Sequence, residues 1–420
     1  MSKAVWIQHA AQLVTMHLPE HVGPRTKGDM SELGLIEDGS VWLEDGVIQA
    51  VGTTSELKEI YESRAQEAEI VDATGHLITP GLVDPHTHVA FGGSREREFE
   101  MRLEGATYMD IMNAGGGIHA TTRMTREASE EELIEQTSKR LDSFLAHGVT
   151  TVEGKSGYGL DLETEMKQLR VMKYLQEHHA IDLVPTFMGA HAVPAEYKGK
   201  EEEYVNLIIE TMLPKVAEEK LAVFNDVFCE VDVFTPEQSK RILEAGKELG
   251  LTPKIHADEI KPYGGAELAA EVGAISAEHL LKASDEGIDK MAEAGVIACL
   301  LPATALYLRE EAARGRVMVD RGVPVAISTD CNPGSSPTTS MPLVMNLACI
   351  SMRMTPAESL CAATYNAACA IGMEEKVGSI EVGKQADIVL WDVENYQKLQ
   401  YLFGVNHVQQ VWKKGVQVVG

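Results

Sequence analysis

Two histidines separated by a single residue, His86 and His88, close the segment LITPGLVDPHTH. On an extended segment the side chains at i and i+2 leave the same face, so both imidazoles can reach one metal ion. Three further groups of the same chemistry close other short apolar runs: His256 in KIHADE, His279 in SAEHL and Asp330 in AISTD. One H-x-H is a weak signal. The convergence of four imidazoles and a carboxylate at the ends of apolar runs is a strong one, because that is the donor set of a zinc- or iron-type centre. Glu259 lies three residues beyond His256, placed to exchange protons with a metal-bound water, whose pKa a cation lowers from about 15.7 to roughly 7. Asp258 beside it reads as an exposed loop carboxylate. Asp330 runs into Cys331-Asn332-Pro333-Gly334-Ser335, a turn-rich loop suited to presenting backbone and small side chains to a ligand. The other histidines carry no such pattern. His147, His178 and His179 fit helix C-termini, and His9, His17, His21, His76, His119 and His407 stand alone. Gly115-Gly116-Gly117 follows no strand, and GYGLDL around Gly157 lacks the third glycine of a nucleotide fingerprint.

The elements that must position these groups follow from the apolar pattern. Short apolar runs occur near residues 78–83, 149–152, 183–188, 226–229, 254–256, 274–277, 296–300 and 323–328, most of them followed by helical spacing. In residues 128–147, Ser129 and Glu132 form a capping box, Leu133, Thr137, Leu141, Phe144 and Leu145 share one face, and Gly148 supplies the stop. Further helices are expected over 162–178, 201–219, 236–249, 267–272 and 284–294. Eight βα units predict a closed α/β barrel of the (β/α)8 type rather than an open doubly wound sheet. In such a barrel, chemistry sits at the C-terminal ends of the strands, where these histidines and Asp330 fall. Both chain ends differ from the middle. Two β-rich runs flank Asp45-Gly46, a strong hairpin signal, and residues 4–14, 69–73, 386–392 and the final stretch from Val405 are also strand-like. They predict one small β-sandwich domain built from residues 1–78 plus 376–420, with the barrel over 79–375.

Composition narrows the partners. The 420 residues carry 64 acidic groups against 37 Lys and Arg, a formal charge of −27. Such a surface argues against phosphate backbones and anionic membranes, so neither nucleic acid nor membrane is expected as a partner. An anionic substrate would need a local cation. Six cysteines without a C-x-x-C pair read as buried thiols of a reducing compartment. No signal peptide is expected at the N-terminus, and the longest uncharged runs, 294–308 and 331–352, are broken by Pro, Gly or polar residues. A cytoplasmic protein is expected.

PGLVDPHTH, HADE, His279 and STD, in that order, resemble the metal-dependent amidohydrolase superfamily, and with the flanking β segments the resemblance spans essentially the whole chain. GGSRE (92–96), GGGIHATTRMTR (115–126), EGKSGYGL (153–160), FMGAHAVP (187–194) and DCNPGS (330–335) are similar to the branch that opens the imidazolone ring in histidine degradation. The resemblance implies one metal ion per subunit, zinc or iron, held by His86, His88, His256 and Asp330. Binuclear relatives carry a carboxylated lysine at the end of the fourth strand. Here that strand ends near Cys229-Glu230, and Lys155, at the second strand end, is misplaced for that task. It further implies Arg95, Tyr158 and His191 around a small anionic heterocyclic substrate, 4-imidazolone-5-propanoate, with Asn332, Gly334 and Ser335 on the last loop, and a homodimer. In the chemistry expected of such a site, a metal-bound hydroxide attacks and Glu259 carries its proton to the ring nitrogen. His279 polarises the carbonyl or steadies the oxyanion, worth on the order of 3 kcal/mol, and Arg95 is the forked partner for the carboxylate tail. The product would be N-formimidoyl-L-glutamate. A deaminase or cyclic amidase of the same superfamily is the alternative, and a scaffold that has lost its metal is a more distant one.

Overall fold

The structure is a computed structural model that describes residues 4–106, 110 and 115–420. Among the described residues the strands form two sheets of eight. The first draws on both chain ends: β1 (Ala4–Val14), β2 (Leu35–Glu44), β3 (Val47–Thr53), β4 (Ala68–Asp72) and β5 (Leu77–Pro80) come from the N-terminal segment. The barrel follows with β6 (Leu82–Asp84), β7 (Val149–Lys155), β8 (Asp182–Ala190), β9 (Phe224–Cys229), β10 (Thr252–Ala257), β11 (Ser276–His279), β12 (Ile297–Leu300) and β13 (Val325–Ile327). The chain then returns to the first sheet with β14 (Ile388–Trp391), β15 (Val408–Lys413) and β16 (Val416–Val419).

The terminal sheet has the order β16-β15-β14-β5-β1-β2-β3, with β4 parallel to β1. Its β2–β3 hairpin turns on Asp45 and Gly46, both at positive φ (54° and 82°), the two-residue turn whose twist matches the strands. Antiparallel pairing of β14 with β5 ties the two chain ends together. Trp6, Trp42, Trp391 and Trp412 are all buried in or against this mixed sheet. The apolar run 78–83 is not one strand but two. Leu77–Pro80 joins the terminal sheet, Leu82–Asp84 opens the barrel, and Gly81 lies between them. A Cβ at Gly81 would meet Thr150 Oγ1 at 2.1 Å, so only glycine lets the chain cross so close to β7.

The barrel is an all-parallel sheet in sequence order from β6 to β13. Its strands are buried on both faces, and several carry charged residues into that buried interior, among them Glu153, Lys155, Asp226, Lys254 and Glu278. No backbone ladder joins β6 to β13 among the described residues, so the barrel is nearly closed, and individual hydrogen bonds between the two ends bridge the seam. The buried Asp84 carboxylate accepts from Ser328 Oγ and from Thr329 Oγ1 at 2.6 Å, while His88 N donates to Cys331 O at 3.0 Å. Burial pushes the Asp84 carboxyl up to about 7, against the lowering effect of those donors. Helices cover the outside. Glu130–Ala146 starts in the expected Ser129/Glu132 capping box. The helical stretch 201–219 is interrupted by a π turn at Ile208–Met212. Glu96–Leu103 and Ile118–Glu127, which apolar spacing does not mark, occupy the long excursion after β6.

Candidate active site

The five candidate donors selected by residue type meet at the C-terminal rim of the barrel. His86 and His88 follow β6, His256 lies in β10, His279 ends β11 and Asp330 follows β13. His86 Nε2 is 3.4 Å from Asp330 Oδ1, His88 Nε2 is 3.8 Å from the same oxygen, and the Nε2 atoms of His256 and His88 face each other at 3.4 Å. One nitrogen each of His86, His256 and His279 also lie within 4.8 Å of one another. Burial, followed by the positive groups around them, holds the His86, His88 and His279 imidazoles well below their ordinary pKa. They are neutral and offer lone pairs.

The donor set fits a metal ion. His86 Nε2 is buried without a hydrogen-bond partner in the protein, and buried polar atoms are rarely left so. Its other nitrogen, Nδ1, bonds the Glu278 carboxylate at 2.7 Å, and His256 Nδ1 bonds Asp226 at 3.1 Å. A carboxylate on Nδ1 fixes the tautomer that leaves Nε2 free to ligate. Asp330 is oriented by Thr304 Oγ1, which donates to Oδ2 at 2.6 Å, leaving Oδ1 toward the imidazoles.

Above the donors opens a cavity of about 190 Å³. His88, His256, Glu259, His279 and Asp330 form its floor, and Arg95, Tyr158, His191, Asn332, Gly334 and Ser335 line the same space. All the residues singled out in the sequence are thus brought together, with His86 fully buried among the donors. Glu259 Oε1 lies 3.5 Å from His279 Nδ1. Burial, then the Asp330 and Glu230 carboxylates, push Glu259 up to about 8. His191 stacks on His88 with ring centres 4.7 Å apart and bonds Gly157 O through Nδ1 at 3.0 Å. Burial, then His256, lowers His191 to about 3, so it is a neutral ring. Tyr158 is buried 5.6 Å from His88, centre to centre, and burial followed by Asp330 raises its phenol above the ordinary range. It remains a hydroxyl. Arg95 donates from Nε and Nη2 to Glu98 Oε2 at 2.9 and 2.7 Å, which holds the guanidinium plane. Asn332 Oδ1 accepts from the backbone of Gly334 and Ser335, both at 2.8 Å, shaping the last loop.

Asp258 departs from its reading as an exposed carboxylate. It is buried and accepts from the backbone nitrogens of Tyr263, Gly264, Gly265 and Ala266, organising the start of helix Gly265–Val272. An acidic group at a helix N-terminus answers donors that would otherwise be orphaned. Arg102, from helix Glu96–Leu103, also lines the cavity, a second cation that no sequence motif marks. Asp226, Glu278 and Lys254, which lie beneath the donors beside Lys155, are likewise marked by no sequence motif. Their signal was alternation: Lys254 is two residues from His256 and Glu278 adjoins His279, all within strands.

A family model described as the amidohydrolase family matches residues 77–418. The chain belongs to the amidohydrolase family. It is a hydrolase of carbon–nitrogen bonds. The chain is 64% identical over 419 residues to the imidazolonepropionase of Brevibacillus brevis, covering 100% of this chain and 99% of that protein. It is 61% identical to that of Geobacillus kaustophilus over 99% of this chain and 98% of the relative. For Clostridium tetani imidazolonepropionase the identity is 55%, over 98% and 97%. Among solved structures, an adenosine deaminase from Xanthomonas campestris with bound zinc matches with a TM-score of 0.69 at 21% identity, over 99% of this chain and 92% of that one. Escherichia coli guanine deaminase matches with a TM-score of 0.73 at 15% identity, over 100% and 99%. Those two likenesses establish the amidohydrolase fold.

Proposed function

We propose that this amidohydrolase opens the ring of 4-imidazolone-5-propanoate to N-formimidoyl-L-glutamate in histidine degradation. The observation that carries this reading is the 64% identity sustained over 419 residues to a protein named imidazolonepropionase. The deaminases of the same fold stand at 15–21%. His86, His88, His256 and Asp330 would hold one metal ion, zinc or iron. Bound there, the cation supplies Lewis acidity, which lowers the pKa of a water from 15.7 to roughly 7.

The chain's own groups perform the rest. Oxygen from water joins the ring carbonyl carbon, the carbon–nitrogen bond of the cyclic amide breaks, and the nitrogen departs within the formimidoyl group. In its ionised form Glu259 takes the proton of the attacking water on its carboxylate and returns it to the departing ring nitrogen. His279, beside Glu259, donates to the carbonyl oxygen as negative charge develops there. Arg95 receives the propanoate, its plane held by Glu98. With Nδ1–H committed to Gly157 O, neutral His191 offers Nε2 as an acceptor for a ring N–H, and Tyr158 offers a hydroxyl. Asn332, Gly334 and Ser335 close the pocket over the substrate.

Several attributes belong to the same proposal. The domains are residues 79–375 for the barrel and 1–78 plus 376–420 for the terminal unit, a boundary that falls within β5 (Leu77–Pro80). The terminal unit is a β-sandwich, supported by one apolar cluster that combines Val5, Val41 and Ile48 with Ile388, Leu390 and Trp412 from the other end of the sheet. The enzyme is cytoplasmic, consistent with six unpaired cysteines, and acts as a homodimer. Mass spectrometry of a reaction on 4-imidazolone-5-propanoate tests the activity. N-formimidoyl-L-glutamate without free ammonia is expected, and stoichiometric ammonia in its place would assign a deaminase.

A further inference from the structure

Lys155 lies at the end of β7 with its side chain wholly buried in the barrel, beneath the donor histidines. Its Nζ is 2.7 Å from Glu153 Oε1 and 2.8 Å from Asp226 Oδ2. Each carboxylate reaches a different ligand-bearing segment. Asp226, on β9, presents its other oxygen to His256 Nδ1 at 3.1 Å. Glu153 accepts the backbone N–H of Thr87 at 3.2 Å, the residue between His86 and His88. The backbone adds to the same joint: Thr87 Oγ1 donates to Glu153 O at 2.7 Å, and Lys155 N donates to Thr87 O at 2.9 Å. A buried ammonium between two buried carboxylates is held only by excellent geometry. Here its partners are the groups that aim the donors.

We propose that Lys155 is a positioning residue that couples the two ligand segments, fixing Asp226 against His256 and Glu153 against the His86-Thr87-His88 backbone. This rests on the metal-site reading above. It goes beyond it by assigning the alignment of the donors to one cation outside the coordination sphere. Lys155 touches neither substrate nor metal and acts only through its two carboxylates. Partners of this kind are typically worth about 10- to 100-fold in metal affinity.

The test uses zinc alone as the probe, in competition with a chromophoric chelator. The full-length protein is compared with K155M, D226N, E153Q/D226N and the triple variant K155M/E153Q/D226N. K155M is expected to weaken zinc binding by about 10- to 100-fold in the native background and to have little effect once both carboxylates are gone. Histidine-selective 15N spectra of the metal-free protein supply a readout that a merely structural role would not move. The His256 Nδ1–H signal should be perturbed in both K155M and D226N. Unchanged zinc affinity in K155M, or an equal loss in both backgrounds, overturns the proposal. Should K155M alone fail to fold, D226N still decides, since native zinc affinity in that variant also overturns it. If the unaltered protein binds neither zinc nor iron, the metal-site reading itself falls.

Discussion

Gly334 offers a sharp test of how the substrate's carboxylate is held. Its φ is not positive, so the backbone accepts alanine without strain. The added methyl is the problem: its Cβ would stand 2.3 Å from Arg95 Nη1 and 3.0 Å from Cζ. Ordinary contact begins near about 3.5 Å, so the guanidinium must withdraw by roughly 1 Å. It cannot swing freely, because Nε and Nη2 are both committed to Glu98. A hydrogen bond to a charged group contributes about 1.5–3 kcal/mol, which at 1.36 kcal/mol per decade is a loss of about 10- to 150-fold in kcat/KM. On the proposed placement Arg95 meets the propanoate alike in ground and transition states, so the loss should enter through KM, with kcat nearly unchanged. Steady-state kinetics of G334A measure this. R95M should show a similar KM effect, and G334A/R95M should be no worse than R95M alone, since both remove one interaction. A folded G334A with native KM, or one that loses kcat alone, would refute the placement of Arg95.

Other consequences are as direct. E259Q keeps the shape of the side chain but cannot take a proton, so kcat should fall by about 10²- to 10⁴-fold; single-turnover rates within a few-fold of native would remove Glu259 from the proton path. Neutral buried imidazoles make the metal-free protein acid-sensitive. His191, lowered to about 3, stays neutral in the fold while the unfolded chain takes up a proton below about 6.5. The unfolded state therefore binds more protons, and stability falls as pH drops from about 6.5 toward 3, by up to about 1.4 kcal/mol per pH unit for each such group. Urea midpoints at pH 7 and 5 should show that fall, with a shallower slope in H191Q. Equal slopes in the two proteins would contradict it.

Much of the architecture was legible because buried strands leave short apolar-rich runs, and all eight barrel strands overlap such runs. The site residues were legible for a related reason: polar groups at the end of an apolar run stand out against it. The first run misled because Pro80-Gly81 passes the chain between two sheets without an interruption in hydrophobicity. The π turn at Ile208–Met212 leaves no mark on apolar spacing. Asp226, Lys254, Glu278 and the partners of Lys155 are not legible in the sequence because a buried ion pair carries the same letters as a solvated one, and only the fold shows which partners meet. Asp258 was misjudged for the same reason, its four backbone donors coming from residues that follow a turn.

On the proposed function, His86, His88, His256 and Asp330 hold a metal ion that this chain uses to open an imidazolone ring. The most direct measurement follows imidazolone absorbance on adding enzyme, before chelation, after chelation, and after return of zinc or iron. Absorbance should decay with the native and reconstituted enzyme and persist with the chelated one. Persistence with a folded, metal-loaded sample would contradict the substrate, and undiminished decay after complete metal removal would contradict the metal.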